Sequence, residues 1–249
     1  MFSSSVVLIG ALVFAAQIGL RAASPGPALP SPDGVIKKML ARANEEDKNE
    51  QAFRQQYAWY RVRTIQEFNS KGEVVRTNQF RQDFYPRSNA HSISETAPSQ
   101  SSTNQVSYRE RDFTLTQELL DRFEFRLSGR ETISGRSMII LDFQPAAKKL
   151  PVHSLKDKFI NKAAGRFWVD EEEAVLVKTE FHLVDTVNIA AGIAGAVKQF
   201  QYAFERARTP EGLWYVAKSN WKLEARELFS QKRMAFEEHK ENVLRLRRN

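Results

Sequence analysis

The chain has 249 residues, 42% of them hydrophobic and 17 of them Phe, with no Cys and a formal charge of +7 at pH 7. This length fits one domain of about 200–250 residues behind a processed leader, and the apolar content supplies a core, which excludes a disordered chain. The lack of cysteine excludes disulfides, thiolate chemistry, cysteine metal sites and attachment of lipid to the chain through cysteine.

Residues 6–20 (VVLIGALVFAAQIGL) form an apolar run of the length found in export signals. The run falls short of the ~20 apolar residues of a bilayer-spanning helix, and Arg21 ends it. Cleavage is expected near Ala22 or Ala23, so residues 1–22 read as a signal peptide and the mature chain as periplasmic. The alternative is a buried or membrane-anchoring N-terminal helix. Residues 23–32 contain PGPALPSP and read as an extended Pro-rich linker, leaving residues 33–249 as one domain.

Asp33 is positioned to cap a helix whose apolar face is Val35, Ile36, Met39, Leu40 and Ala43, and which is expected to run on towards Phe53. Residues 57–68 (YAWYRVRTIQEF) then read as a strand, 70–73 (SKGE) as a turn, and 74–85 as a returning strand with Phe80 and Phe84 on one face. Residues 87–107 are Ser, Asn, Gln and Thr-rich and read as a long polar loop. A short helix is predicted at 114–122.

The strongest signal lies in 123–184, where short polar turns separate runs that alternate apolar and polar with period two. That cadence predicts a meandering antiparallel sheet. Phe123, Phe125 and Leu127 share a face, Ser134-Gly135 supplies the turn, and 138–143 is apolar on both sides. Residues 154–162 read as a further short helix. Strands at 165–169 and 174–184 flank the tip Asp170–Glu173. The uncharged stretch 187–197 (VNIAAGIAGAV) breaks the alternation and reads as a buried loop, a lid or a membrane-touching tip. Another hairpin is predicted at 198–208 and 213–223, and 226–249 fits either edge strands or a helix.

Catalytic chemistry is not legible. None of His91, His153, His182 and His239 pairs with another at helical zinc-site spacing, and no nucleophile elbow or phosphate-binding loop is present. The run Asp170–Glu173 lacks calcium-loop spacing and reads as a charged hairpin tip. The basic excess is spread over the chain, which suits an envelope protein facing anionic lipid or polysaccharide; export removes nucleic acid as a partner.

Three local patterns carry a family resemblance. The first is GRETISGR at 129–136, followed by an apolar strand and Pro145. The second is GRFWVD at 165–170, with VLVKTE at 175–180 after it. The third is the small apolar loop, a strand, then Gly212-Leu213-Trp214-Tyr215. Over roughly 33–236 the chain resembles the LolA-like periplasmic carrier superfamily, and most closely its outer-membrane lipoprotein-sorting relatives. The resemblance implies an α+β fold: a strongly curved, half-open antiparallel sheet, an incomplete barrel with a few helices packed on its concave side. It implies a non-enzymatic carrier or sensor that takes the acyl chains of a lipid or lipoprotein into an apolar cavity between sheet and helices, with no cofactor and no metal. A monomer is expected, with an envelope membrane protein as a further partner. The expected cavity walls are Tyr60, Val62, Phe80, Phe84, Phe123, Phe125, Ile140, Val177, Phe181, Tyr215 and Trp221. Ile189, Ile193 and Val197 are expected in the lid or membrane-contact loop. By position on the first strand, Arg61 and Arg63 are the candidates for the arginine that gates lipid release in such carriers. The alternative reading is a protein-binding regulatory or structural module of the envelope with its cavity filled by its own side chains.

Overall fold

Ser31 starts the ordered fold: its Oγ accepts the Gly34 N–H and Pro32 occupies the first turn, which sets the start of α1 (Pro32–Ala43). Asp33, expected as the cap, lies instead within that first turn, where its charge suits the helix N-terminus. The computed structural model describes residues 28–86, 115–148, 150–189, 195–227 and 230–246. The expected leader, most of the linker and the polar loop at 87–107 lie outside them.

The single long helix predicted from residue 33 is two helices. Asn44 caps α1 and α2 (Glu46–Gln56) follows. The two helices make separate contacts. Val35 and Met39 of α1 pack with Leu141, Phe143 and Phe167, whereas Phe53 of α2 packs with Tyr57, Trp59 and Tyr215.

The strands are β1 (Tyr57–Phe68), β2 (Val74–Phe84), β3 (Phe123–Ile133), β4 (Arg136–Pro145), β5 (Ala163–Asp170), β6 (Leu176–Leu183), β7 (Val187–Ile189), β8 (Gly195–Arg208), β9 (Trp214–Glu227) and β10 (Ser230–Arg245). Short helices α3 (Gln117–Leu120) and α4 (Leu155–Ile160) fall close to their predicted places, α4 opened by a reciprocal Ser154–Asp157 capping box. All pairings are antiparallel, in the order β2-β1-β10-β9-β8-β6-β5-β4-β3, with β7 beside β8. β2 and β3 are edges, so the curved sheet does not close. The hairpin β3–β4 turns on Ser134 and Gly135, both at positive φ (50° and 78°), the conformation a two-residue hairpin needs.

Two stretches differ from expectation. Residues 187–197 are not simply a loop: Val187 pairs with Val197 and Ile189 with Gly195, closing a hairpin stem whose valines are buried against Phe200. Residues 230–245 form a strand of 16 residues, paired with β9 on one side and β1 on the other. Its many charged residues hide the apolar alternation, and pairing on both flanks fixes the strand.

Candidate functional site

Cross-strand partners in an antiparallel sheet point to the same face. Following the pairs from β1 to β3 gives one register: Ile65, Phe236, Trp221, Tyr202, Phe181, Gly165, Phe143 and Phe125. Six of these eight positions are aromatic, so a row of rings runs across the face that carries the helices. Neighbouring rings touch. Trp221 stacks on Phe236 at 5.5 Å with planes 12° apart, and Phe181 lies 5.2 Å from Tyr202. Phe143 lies 6.2 Å from Phe125.

Gly165 is the one position in the row without a side chain. A Cβ there would lie 2.1 Å from the Glu180 carbonyl oxygen and 2.7 Å from Phe181 Cα, so the approach of β5 to β6 requires glycine.

The helices cover this face unevenly. α1 and α3 seal its β4–β5 part, where Leu141 is fully buried and Phe143 nearly so. α2 covers the β1–β9 end through Phe53, which stacks on Tyr57 and Tyr215. From α4, Phe159 meets Phe200 edge-on. Between these covers, Phe181, Tyr202, Trp221, Phe236 and Ile65 are only half-buried. They form the floor of an apolar trough that remains partly open.

The predicted wall residues divide into several groups. Phe123, Phe125 and Phe181 pack on the α1 cluster, and Phe181 with Trp221 also joins the Val187–Val197–Phe200 cluster. Tyr215 and Phe84 belong to the α2 cluster, with Phe84 stacked on Trp59 at 4.9 Å. Ile140 and Val177 pack elsewhere, with Met138, Trp168, Val175 and Trp214. The reason is register: Ile139 and Leu141 take the helix-covered face, so Ile140 takes the other. Val62 is buried, and by alternation it faces away from Arg61 and Arg63. Phe80 is 46% exposed on edge strand β2. Tyr60 lies against Arg81, 4.1 Å from the guanidinium. Of the lid candidates, Ile189 and Val197 flank the hairpin stem and Ile193 lies outside the described residues. Arg63 pairs with Glu238 at 2.5 Å; Arg61 donates to the Gln82 side-chain oxygen and sits 4.7 Å over the Phe84 ring.

Tyr202, Phe236 and Ile65 belong to the trough floor but are not among the predicted walls. Alternation within 198–208 already aligns Phe200, Tyr202 and Phe204. Phe236 becomes visible only once β10 is known to pair with β9.

Two further features are structural. A cavity of about 50 Å³ lies where the β1–β10 register shifts, lined by Ala58, Trp59, Tyr60, Tyr85, Asn242 and Leu244. It has room for water and is far below the ~300 Å³ at which small-molecule sites begin. At the β5–β6 tip, the buried Asp170 carboxylate accepts from Arg136 and from the Glu172 and Glu173 N–H groups. Burial opposes its ionisation, but these donors outweigh it and hold its pKa below the ordinary carboxylate range. The expected charged tip is therefore a self-satisfied turn. Among the described residues, no group of three or more His, Asp or Glu side chains is placed to hold a metal.

No protein-family model matches the chain, and no curated protein matches it in sequence. Solved structures do resemble it. A putative outer membrane lipoprotein-sorting protein domain from Vibrio parahaemolyticus is 10% identical over 84% of this chain and 93% of its own, with a TM-score of 0.36. A DUF1329 family protein from Desulfovibrio piger is 14% identical over 84% and 92%, at 0.33. A LolA superfamily protein from Nitrosomonas europaea is 11% identical over 86% and 94%, at 0.32. The resemblance to LolA-superfamily structures is one of fold, and at these scores no functional argument rests on it.

Proposed function

We propose that this protein is a non-enzymatic periplasmic carrier or sensor that holds an acyl-chain-bearing ligand, a lipid or lipoprotein, against the concave face of its sheet. The observation that carries this reading is the half-buried run Phe181, Tyr202, Trp221, Phe236 and Ile65, aligned in one register between helix-covered ends. An aliphatic chain in water costs ~0.8 kcal/mol per exposed CH₂, so a shuttle must cover it with apolar surface. A trough open on one side covers it in part, which permits release as well as capture. The leader at residues 1–22 supports a periplasmic site of action, with 23–32 as linker and 33–249 as the working domain.

The test is lipid extraction and mass spectrometry of the protein purified under native conditions, paired with uptake of a fluorescent fatty acid. Co-purifying lipid together with saturable uptake is the expected result. Absence of both would favour the protein-binding module, in which a partner chain covers the same face.

A further inference from the structure

One buried charge plays no part in the trough. The Arg122 side chain, just after α3, is only 2% exposed. Its guanidinium donates to the Pro151 carbonyl oxygen at 3.2 Å and to Asn161 Oδ1 at 3.0 Å, and it pairs with Glu118 at 3.0 Å and Asp157 at 3.4 Å. Asp157 in turn accepts from the His153 and Ser154 N–H groups. A buried guanidinium whose planar donors are satisfied in this way fixes the groups around it. Here it ties the stretch at 150–154 and α4 into one platform.

The outer side of that platform is both basic and apolar. Residues 147–158 (AKKLPVHSLKDK) contain four lysines and a single acid, Asp157, which is turned inwards at 14% exposure. Lys148, Lys156 and Lys158 are exposed and form no ion pair among the described residues. Val152 and Leu155 stand exposed in the same stretch, and exposed Val184, whose N–H bonds the Lys162 carbonyl oxygen, lies past the other end of α4. Neighbouring carboxylates are engaged: Glu118 with Arg122, Glu124 with the Ala147 N–H, and Asp185 with Lys162. The inner side of α4 is different. Ile160 is buried there, and Phe159 meets Phe200 beside the trough.

We propose that the platform at 147–158 docks the protein on an anionic lipid bilayer. Lysines interleaved with exposed aliphatics make an interfacial element: the apolar side chains enter the headgroup layer while the ammonium groups meet lipid phosphates. An acidic protein surface would satisfy the lysines but give Val152 and Leu155 no apolar cover. With the bilayer on its outer side and Phe159 on its inner side, α4 would separate lipid from trough by a single helix, about 10 Å across. Docking needs no ligand in the trough, so it stands apart from the acyl-binding reading.

The experiment is flotation of the natively purified protein with vesicles of phosphatidylcholine alone or of phosphatidylcholine and phosphatidylglycerol in equal parts. The expected result is at least tenfold stronger binding to the anionic vesicles, weakening as salt rises. A lysine near such a surface is worth about fivefold, so the combined variant Lys148→Gln, Lys156→Gln and Lys158→Gln should fall to the neutral-vesicle level. Leu155→Ser should weaken binding several-fold without changing its salt dependence, which charge attraction alone would not predict. Lys71→Gln, exposed in the β1–β2 turn, should leave binding unchanged. Fatty-acid uptake by the triple variant should match the parent, which separates a failure of docking from a failure of the trough. Equal binding to both kinds of vesicle, or full binding by the triple variant, would overturn the proposal. So would absence of vesicle binding alongside salt-sensitive binding to polyglutamate, which would make an acidic protein the partner.

Discussion

Strands β3–β6 and strands β8–β10 with β1 share one alternating pattern but bury it differently. Within ten residues β4 fully or nearly buries Met138, Ile139, Leu141 and Phe143; across its 16 residues β10 buries none to that degree. The first region has rings and aliphatics closed over by α1, and a tip fixed by the Arg136–Asp170 pair. The second is held chiefly by long ladders, with β10 paired on both sides, and its apolar face stays half-open. Backbone pairing can thus stabilise a surface whose side chains remain available to a ligand, whereas side-chain packing uses that surface up.

Leu141→Ala should give the largest effect, a loss of about 4 kcal/mol in denaturant unfolding, because its site is fully enclosed. Asp170→Asn should cost about 3 kcal/mol by leaving the Arg136 guanidinium without its best partner. It should also change the acid limb. The depressed folded-state pKa of Asp170 contributes stability above the unfolded value of about 3.9, and that contribution is lost as pH falls through the lower folded value. The variant's stability should therefore fall less steeply in that range than the parent's, and an unchanged slope would count against the pair.

Gly165→Ala should cost about 2 kcal/mol, read as a Tm lowered by roughly 4–8 °C, since its Cβ meets backbone across the β5–β6 ladder. Phe236→Ala should cost about 1 kcal/mol or less yet weaken fatty-acid uptake several-fold. A stability loss at Phe236 equal to that at Leu141 would erase the distinction between the two regions.

Much of this was legible in the residues. Period-two alternation located the hairpins at 123–184 and 198–223, and Ser134-Gly135 marked a turn whose positive φ values the structure displays. The expected curved, half-open sheet with helices on one side is the observed fold. Three features were hidden for physical reasons. The α1–α2 break falls in a run of charged residues whose helical pattern carries no stop signal of its own. β10 is too charged to announce a strand. The trough register is a property of pairings between strands far apart in the chain, so local periodicity could group Phe123 with Phe125 but could not set Ile140 and Val177 apart from them.

The insertion of β10 between β9 and β1 has a kinetic meaning. Arg63 and Glu238 meet across 175 residues of sequence, so the β1–β2 hairpin has no docking site until nearly the whole chain is present. Non-local pairing of this kind slows folding, because loop closure precedes the contacts that reward it. The β3–β6 hairpins, each closed by a short turn, are set to form first. The apolar trough would then be the last surface completed, and a chain lacking residues 230–245 would keep its packed region while losing the docking of β1 and with it the Ile65–Phe236 end of the trough floor.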